Sequence, residues 1–195
     1  MLLHHLPKVA FVCAVVMASA AANAAETNYR AWIDANGGTP SVYAGIEDVN
    51  IPVGYDPGYA FDGVIVSSEP KEKYLGGKNS ATDAYIVYGA DIAGKSFTLR
   101  RYRICQSTIG NYSNARAPSA WTLYGADSPN AADDEWTLVD SRSGVVWSGT
   151  SFAQNAAIPG GIDRWRTFMP PKPATFKYYK IAFSAAADLS STLQT

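Results

Sequence analysis

Acid–base and nucleophilic catalysis need a few particular side chains held together, and this chain has few of them. Its only histidines are His4 and His5, and its only cysteines are Cys13 and Cys105. The densest acidic run, Asp133-Asp134-Glu135, has the composition for paired-carboxylate hydrolysis of glycosidic bonds. It sits in a polar loop, SPNAADDE, between two alternating stretches. A general acid needs burial to lift its pKa toward neutrality, and such a loop leaves it solvated. A carboxylate-dependent glycosidase is therefore the remote alternative, and no catalytic residue is expected. Binding chemistry is better represented. Tyr55 and Tyr59 lie in a Pro- and Gly-rich stretch, Tyr74 in a polar connection, and Trp165 between Arg164 and Arg166. Flat rings receive the C–H face of a pyranose, and guanidinium groups bond its hydroxyls. Trp165 has a second reading, in which RWRTFM starts a strand with the ring packed and both arginines outward. Asp62, in YAFDG, also has two. It caps a tight turn with Phe61 in the core, or it holds a structural calcium with nearby carbonyls, since hard cations take several oxygens at once.

The start of the chain narrows these options. Lys8 and the two histidines precede an apolar run from Val9 to Met17, and Ala22-Asn23-Ala24 is a small-x-small cleavage pattern. Residues 1–24 thus read as a secretory signal peptide, too short for a comfortable membrane span of about 20 apolar residues. The expected location is outside the cytoplasm: extracellular, cell surface or periplasm. Cleavage removes both histidines and Cys13, which leaves no Ser–His–Asp or Cys–His arrangement, no histidine zinc site and no intrachain disulfide. Cys105 is expected as a buried thiol near a strand end, since an exposed one would invite covalent dimers. Of 16 Lys and Arg, Lys8 leaves with the leader, so 15 remain against 17 acids, a net charge of −2. That balance argues against nucleic acid or an anionic membrane as partner.

Of 195 residues, 47% are hydrophobic and 17% charged, which suits one globular domain after the leader. Residues 25–40 form a short lead-in that ends in a turn at Asn36-Gly37-Gly38, with Trp32 either packed beneath the domain or exposed as a sugar platform. The remaining positions, 41–195, read as strands. Val42 to Val49 alternates loosely, and Tyr85-Ile86-Val87-Tyr88 is apolar on both faces, as a central strand is. In Phe97 to Cys105, Phe97 and Leu99 share one phase and Tyr102 and Ile104 the other, which a β-bulge at Arg100–Arg101 would reconcile. Trp121 and Leu123 are in phase, Trp136 and Leu138 are in phase, and so are Tyr179, Ile181 and Phe183. The alternation predicts that these seven side chains meet in one core.

Four stretches, in order, resemble discoidin-like domains, the coagulation factor V/VIII type C group of the galactose-binding-like superfamily. They are YAFDG at 59–63, AWTLYGAD at 120–127, EWTLVDSRSG at 135–144 and FKYYKIAFSAA at 176–186. The resemblance implies an all-β fold, an antiparallel β-sandwich of the galactose-binding-like jelly-roll kind. It also implies a non-catalytic module for carbohydrate binding or cell adhesion. Its partner would be a glycan or glycoconjugate met by loops at one end, drawing on Tyr55, Tyr59, Tyr74, Arg164 and Trp165. A structural domain of an envelope or matrix assembly, with no small ligand, is the other reading. In the family, further polar ligands often follow the early loop. Here Val64-Ile65-Val66 follow Asp62, which weakens the case for calcium. Such domains usually close with one more strand, and this sequence stops at SSTLQT, where that strand would start. The expectation is a domain lacking its last strand, with an unpaired sheet edge open to self-association.

Overall fold

In the computed structural model of the chain, the described residues are 11–19, 27–45, 74–76, 84–106, 118–146 and 165–186. They form antiparallel strands and one helix. In chain order the elements are β1 (Phe11–Ser19), β2 (Thr27–Asn28), α1 (Tyr29–Ala35), β3 (Ser41–Gly45), β4 (Tyr74–Gly76), β5 (Ala84–Gly89) and β6 (Phe97–Leu99). There follow β7 (Arg101–Gln106), β8 (Pro118–Ala126), β9 (Thr137–Arg142), β10 (Trp165–Phe168), β11 (Ala174–Phe176) and β12 (Tyr178–Ala186).

Two layers enclose the core. One is a five-stranded sheet in the order β3-β5-β12-β8-β9. The other combines β10-β7-β1, with β2 and β4 along the far edge of β1, and the small β11-β6 pair. Trp121, Leu123, Tyr179, Ile181 and Phe183 from the first layer pack with Tyr102, Ile104, Phe168, Phe97 and Leu99 from the second. The architecture is the all-β antiparallel sandwich that the alternation and the resemblance predict. β5 lies inside its sheet, with Ile86 and Tyr88 in the core and Val87 buried on the other face.

The helix closes one side of the core. Asn28 caps it by accepting from the Ala31 N–H at 2.7 Å, and Gly37 leaves it at φ +70, a conformation glycine adopts without a Cβ penalty. Tyr29 and Ile33, one turn apart, are fully buried. The Tyr29 ring stacks on Phe97 at 4.3 Å, and its hydroxyl donates to the Lys177 carbonyl. Trp32 packs too, 5.6 Å from Phe97, so the packed reading of that tryptophan holds. The Tyr179 hydroxyl accepts from the Leu99 N–H at 3.3 Å and lies 2.7 Å from both the Phe97 and Ala174 carbonyls, fastening the small pair to the main sheet. Gly125 lies opposite Tyr179, where a Cβ would come within 2.1 Å of the Phe176 ring, so only glycine lets that ring lie flat on the strand.

Two features differ from the sequence expectations. First, Trp136 and Leu138 are not in the common core: Leu138 is 60% exposed, and Trp136 is buried in a separate cluster on the outer face. The cause is a register shift in the β8–β9 hairpin. Leu123 faces Asp140 while Tyr124 faces Leu138, so Val139 is the extra residue and turns into the core instead. Second, the phase change at Arg100 is a bend rather than a bulge within one strand. β6 pairs with β11 and β7 with β1 and β10, so the chain passes from one sheet to another there. Phe11–Ser19, which overlaps the apolar run Val9 to Met17 of the expected leader, is strand β1. It pairs with β7 at six positions, from Cys13↔Gln106 to Ala18↔Arg101. Cys105 lies near the end of β7, as expected, while the burial of its thiol lies outside the described side chains; Tyr102 and Ile104 of the same strand fill the core.

Candidate functional site

Register aligns a set of strand ends. In the main sheet Gly45 pairs with Tyr85, Ala84 with Phe183, and Pro118 with Ala186. In the facing sheet Trp165 pairs with Cys105, Gln106 with Cys13, and Cys13 with Tyr74. The layers run in step, because Trp121 of β8 meets Phe168 of β10 edge-on at 4.8 Å, and Phe168 stacks on Tyr102 of β7 at 5.4 Å. The ends of β3, β7 and β12 and the starts of β5, β8 and β10 therefore share one end of the sandwich. At the opposite end the connections are short: 90–96, 127–136, and the single residue Lys177 between β11 and β12.

Two of the sequence-predicted ligand residues fall within the described residues. Trp165 opens β10 and Tyr74 opens β4, in adjacent rows at the shared end, with β7 and β1 between them. Register therefore brings the two to one end of the sheet. Tyr55, Tyr59, Arg164 and the calcium candidate Asp62 lie outside the described residues. Among the described residues, no group of three His, Cys, Asp or Glu side chains could hold a metal ion. Arg166, on the strand that Trp165 starts, is exposed; it donates to the Val146 carbonyl and lies over the Phe168 ring at 5.7 Å.

Beneath this end lies a polar network that alternation does not reveal. Asp140 of β9 is 4% exposed, and its carboxylate accepts from the Tyr102 hydroxyl at 2.7 Å, the Arg142 Nε at 2.8 Å and the Ser141 N–H at 2.9 Å. The Trp121 indole N–H donates to the Tyr102 oxygen at 2.9 Å, and Arg142 also donates to the Met169 carbonyl at 2.6 Å. Burial, opposed by the Trp121 bond and reinforced by Asp140, drives the Tyr102 phenol well above its ordinary range. The bond to Asp140 raises the Arg142 guanidinium. With its oxygens occupied, Asp140 ties β9 to β7 and, through Arg142, to the end of β10. It offers a substrate no free acid. The one signal for it in the sequence was the spacing Asp140-x-Arg142 on a strand, which puts an acid and a base on one face.

Asp133-Asp134-Glu135 forms an exposed single turn of 3-10 helix, with Glu135 accepting from the Ala132 N–H at 2.7 Å. Its carboxylates are spent on a turn and on solvent, as the loop reading predicts. The outer face of the main sheet holds a group that sequence reasoning missed. Lys180 of β12 places its ammonium 4.4 Å from the Trp136 ring centroid, 5.4 Å from Tyr124 and 5.5 Å from Tyr85. These rings come from separate segments, and only the pairing of β5, β12 and β8 with the start of β9 brings them together.

The chain matches no protein-family model, and no curated protein matches it. It is similar to several solved structures. One is the family 32 carbohydrate-binding module from Streptococcus pneumoniae EndoD, at 15% identity and a TM-score of 0.48, over 76% of this chain and 85% of that one. Another is CpGH89CBM32-6 produced by Clostridium perfringens, at 7% identity and a TM-score of 0.43, over 75% and 83% of the two chains. A third is chitosan-binding module 1 derived from a chitosanase/glucanase of Paenibacillus sp. IK-5, at 15% identity and a TM-score of 0.38, over 76% and 83%.

Proposed function

We propose that this chain is a secreted, non-catalytic carbohydrate-binding module of the discoidin-like kind, taking its glycan at the end of the sandwich where the strand ends gather. The observation that carries the reading is the placement of the resembling stretches. AWTLYGAD forms most of β8, EWTLVDSRSG contains β9 and FKYYKIAFSAA contains β12. These are consecutive neighbours, β12-β8-β9, in one sheet. Three of the four resembling stretches thus fall on one contiguous part of the fold, and YAFDG lies outside the described residues. The network of Asp140, Tyr102 and Arg142 gives that end a rigid base, and long segments on a rigid scaffold are where binding residues concentrate.

In this reading Tyr55, Tyr59, Tyr74, Arg164 and Trp165 supply the ring faces and guanidinium donors for a neutral sugar. A glycan array should give a saturable signal for a defined set of sugars. Titration with the best neutral oligosaccharide should quench tryptophan emission, and Trp165→Ala should abolish the response. Quenching that survives this change moves the site off Trp165. A flat array favours a structural domain with no small ligand. The reading also keeps Asp62 as a ligand of structural calcium. Calcium should then raise the melting temperature of the unmodified protein but not that of Asp62→Asn, and equal melting with calcium or chelator would remove the ion.

A further inference from the structure

The main sheet turns one face to the core and the other outward, and the outward face carries a continuous row across all its strands. Tyr43 pairs with Val87, Val87 with Lys180, Lys180 with Tyr124, and Tyr124 with Leu138. At a strand spacing of about 4.8 Å, the row is roughly 19 Å long. Its ends are open: Tyr43 is 44% and Leu138 is 60% exposed. At its centre Lys180 stands among Tyr85, Tyr124 and Trp136, with Tyr178 and Val87 buried beneath.

The ammonium at the centre is unusual in what surrounds it. Cation–π attraction to the rings stabilises its charge. Yet none of the described residues accepts a hydrogen bond from it or pairs with it as an ion, so its three N–H groups face π clouds and solvent. Burial lowers its pKa, while the nearby Asp133 carboxylate opposes that shift. A half-buried donor without an oxygen partner, bordered by the partly exposed rings of Tyr85 and Tyr124, matches a ligand with a carboxylate on an otherwise apolar-faced ring.

We propose that this outer face is a second saccharide-binding surface, specific for acidic glycans, in which Lys180 receives the carboxylate of a hexuronic acid. Tyr43, Tyr124 and Leu138 then carry the C–H faces of the adjoining sugars. A planar carboxylate accepts from an ammonium more strongly than a hydroxyl does, so charge sets the preference. The surface lies on the side of the main sheet, not on the strand ends that carry the site proposed above, and it stands independently of that reading.

The test uses the full chain, a short oligogalacturonate and its methyl-esterified counterpart. The oligogalacturonate should bind saturably, weaken with added salt, and shift the indole N–H resonance of Trp136, whose donor is held on the Ala131 carbonyl at 3.1 Å. The ester should bind at least about ten-fold more weakly, the scale of one lost charge-assisted hydrogen bond. Lys180→Met, which keeps the stem on the rings, should lose the same factor with its fold intact, and Trp165→Ala should lose nothing. Tyr43→Ala, an exposed edge-strand change outside the ring cage, should weaken binding as well and serves if Lys180→Met does not fold. Equal binding of acid and ester, an unmoved Trp136 resonance, or variants within about two-fold of the parent would each overturn the proposal, because a ten-fold loss is about 1.4 kcal/mol. Loss of the neutral-sugar response in Trp165→Ala has no bearing on these outcomes, so the two sites fail separately.

Discussion

Trp121→Ala should unfold the domain at ordinary temperature or bring it close to doing so. The side chain is 1% exposed, packs edge-on against Phe168, and donates its indole N–H to Tyr102. Truncating a buried tryptophan costs about 3–5 kcal/mol, against a total stability of about 5–15 kcal/mol for a domain. The loss here should sit at the upper end. The cavity would open beneath the Asp140 network and leave the Tyr102 oxygen without its donor. Trp121→Phe separates the contributions: it restores most of the volume but not the N–H, so its deficit reports the hydrogen bond. Denaturant midpoints for the two variants make the measurement, and an alanine variant as stable as the parent would remove Trp121 from the core.

The second large effect concerns β1. A protein made from residue 25 onward lacks Phe11–Ser19, and with it the partner of β7 at six positions and the partner of β2 and β4. At about 1 kcal/mol per net backbone hydrogen bond, losing that ladder should cost roughly 3–6 kcal/mol. It would also leave β7 with an open edge, and open edges recruit other strands. If the segment serves as a strand, the shortened protein melts lower than the full chain and elutes as oligomers at concentrations where the full chain is monomeric. A shortened protein that is equally stable and monomeric would show that β1 does not contribute to the fold. The experiment decides which of two uses of one apolar segment prevails, since a cleavable leader and an interior strand call for the same composition.

Much of the core was legible because it follows a period of two. Trp121 and Leu123, and Tyr179, Ile181 and Phe183, were readable as one face of two strands, and they meet as expected. The same rule failed at Trp136 and Leu138 for a definite reason. A single extra residue, Val139, reverses the phase of the strand relative to its partner, and alternation carries no mark of where a bulge falls. Asp140 was readable only through its spacing to Arg142, for a second reason: a carboxylate in an alternating stretch reads as solvent-facing unless its buried partners are known, and Tyr102 is far away in sequence. The ring cage around Lys180 escaped for a third. Each aromatic alone looked like an ordinary strand residue, and only the pairing of separate strands makes them a surface. For the glycan site at the strand ends, residue type was readable but relative position was not, because position there depends on long segments with no periodicity.

The order of strands in the main sheet bears on how the chain is made. β12, the last described strand, occupies the centre of its sheet, between β5 and β8. A growing chain can form the β3–β5 and β8–β9 pairs early, but neither has its inner neighbour until residue 186 has emerged. The layer cannot close around its core before then. Non-local pairing of this kind makes folding slow, and it leaves apolar strands uncovered through most of synthesis. Until β12 arrives, the main sheet is two separate strand pairs, open to chaperones and to any machinery that handles unfolded chains.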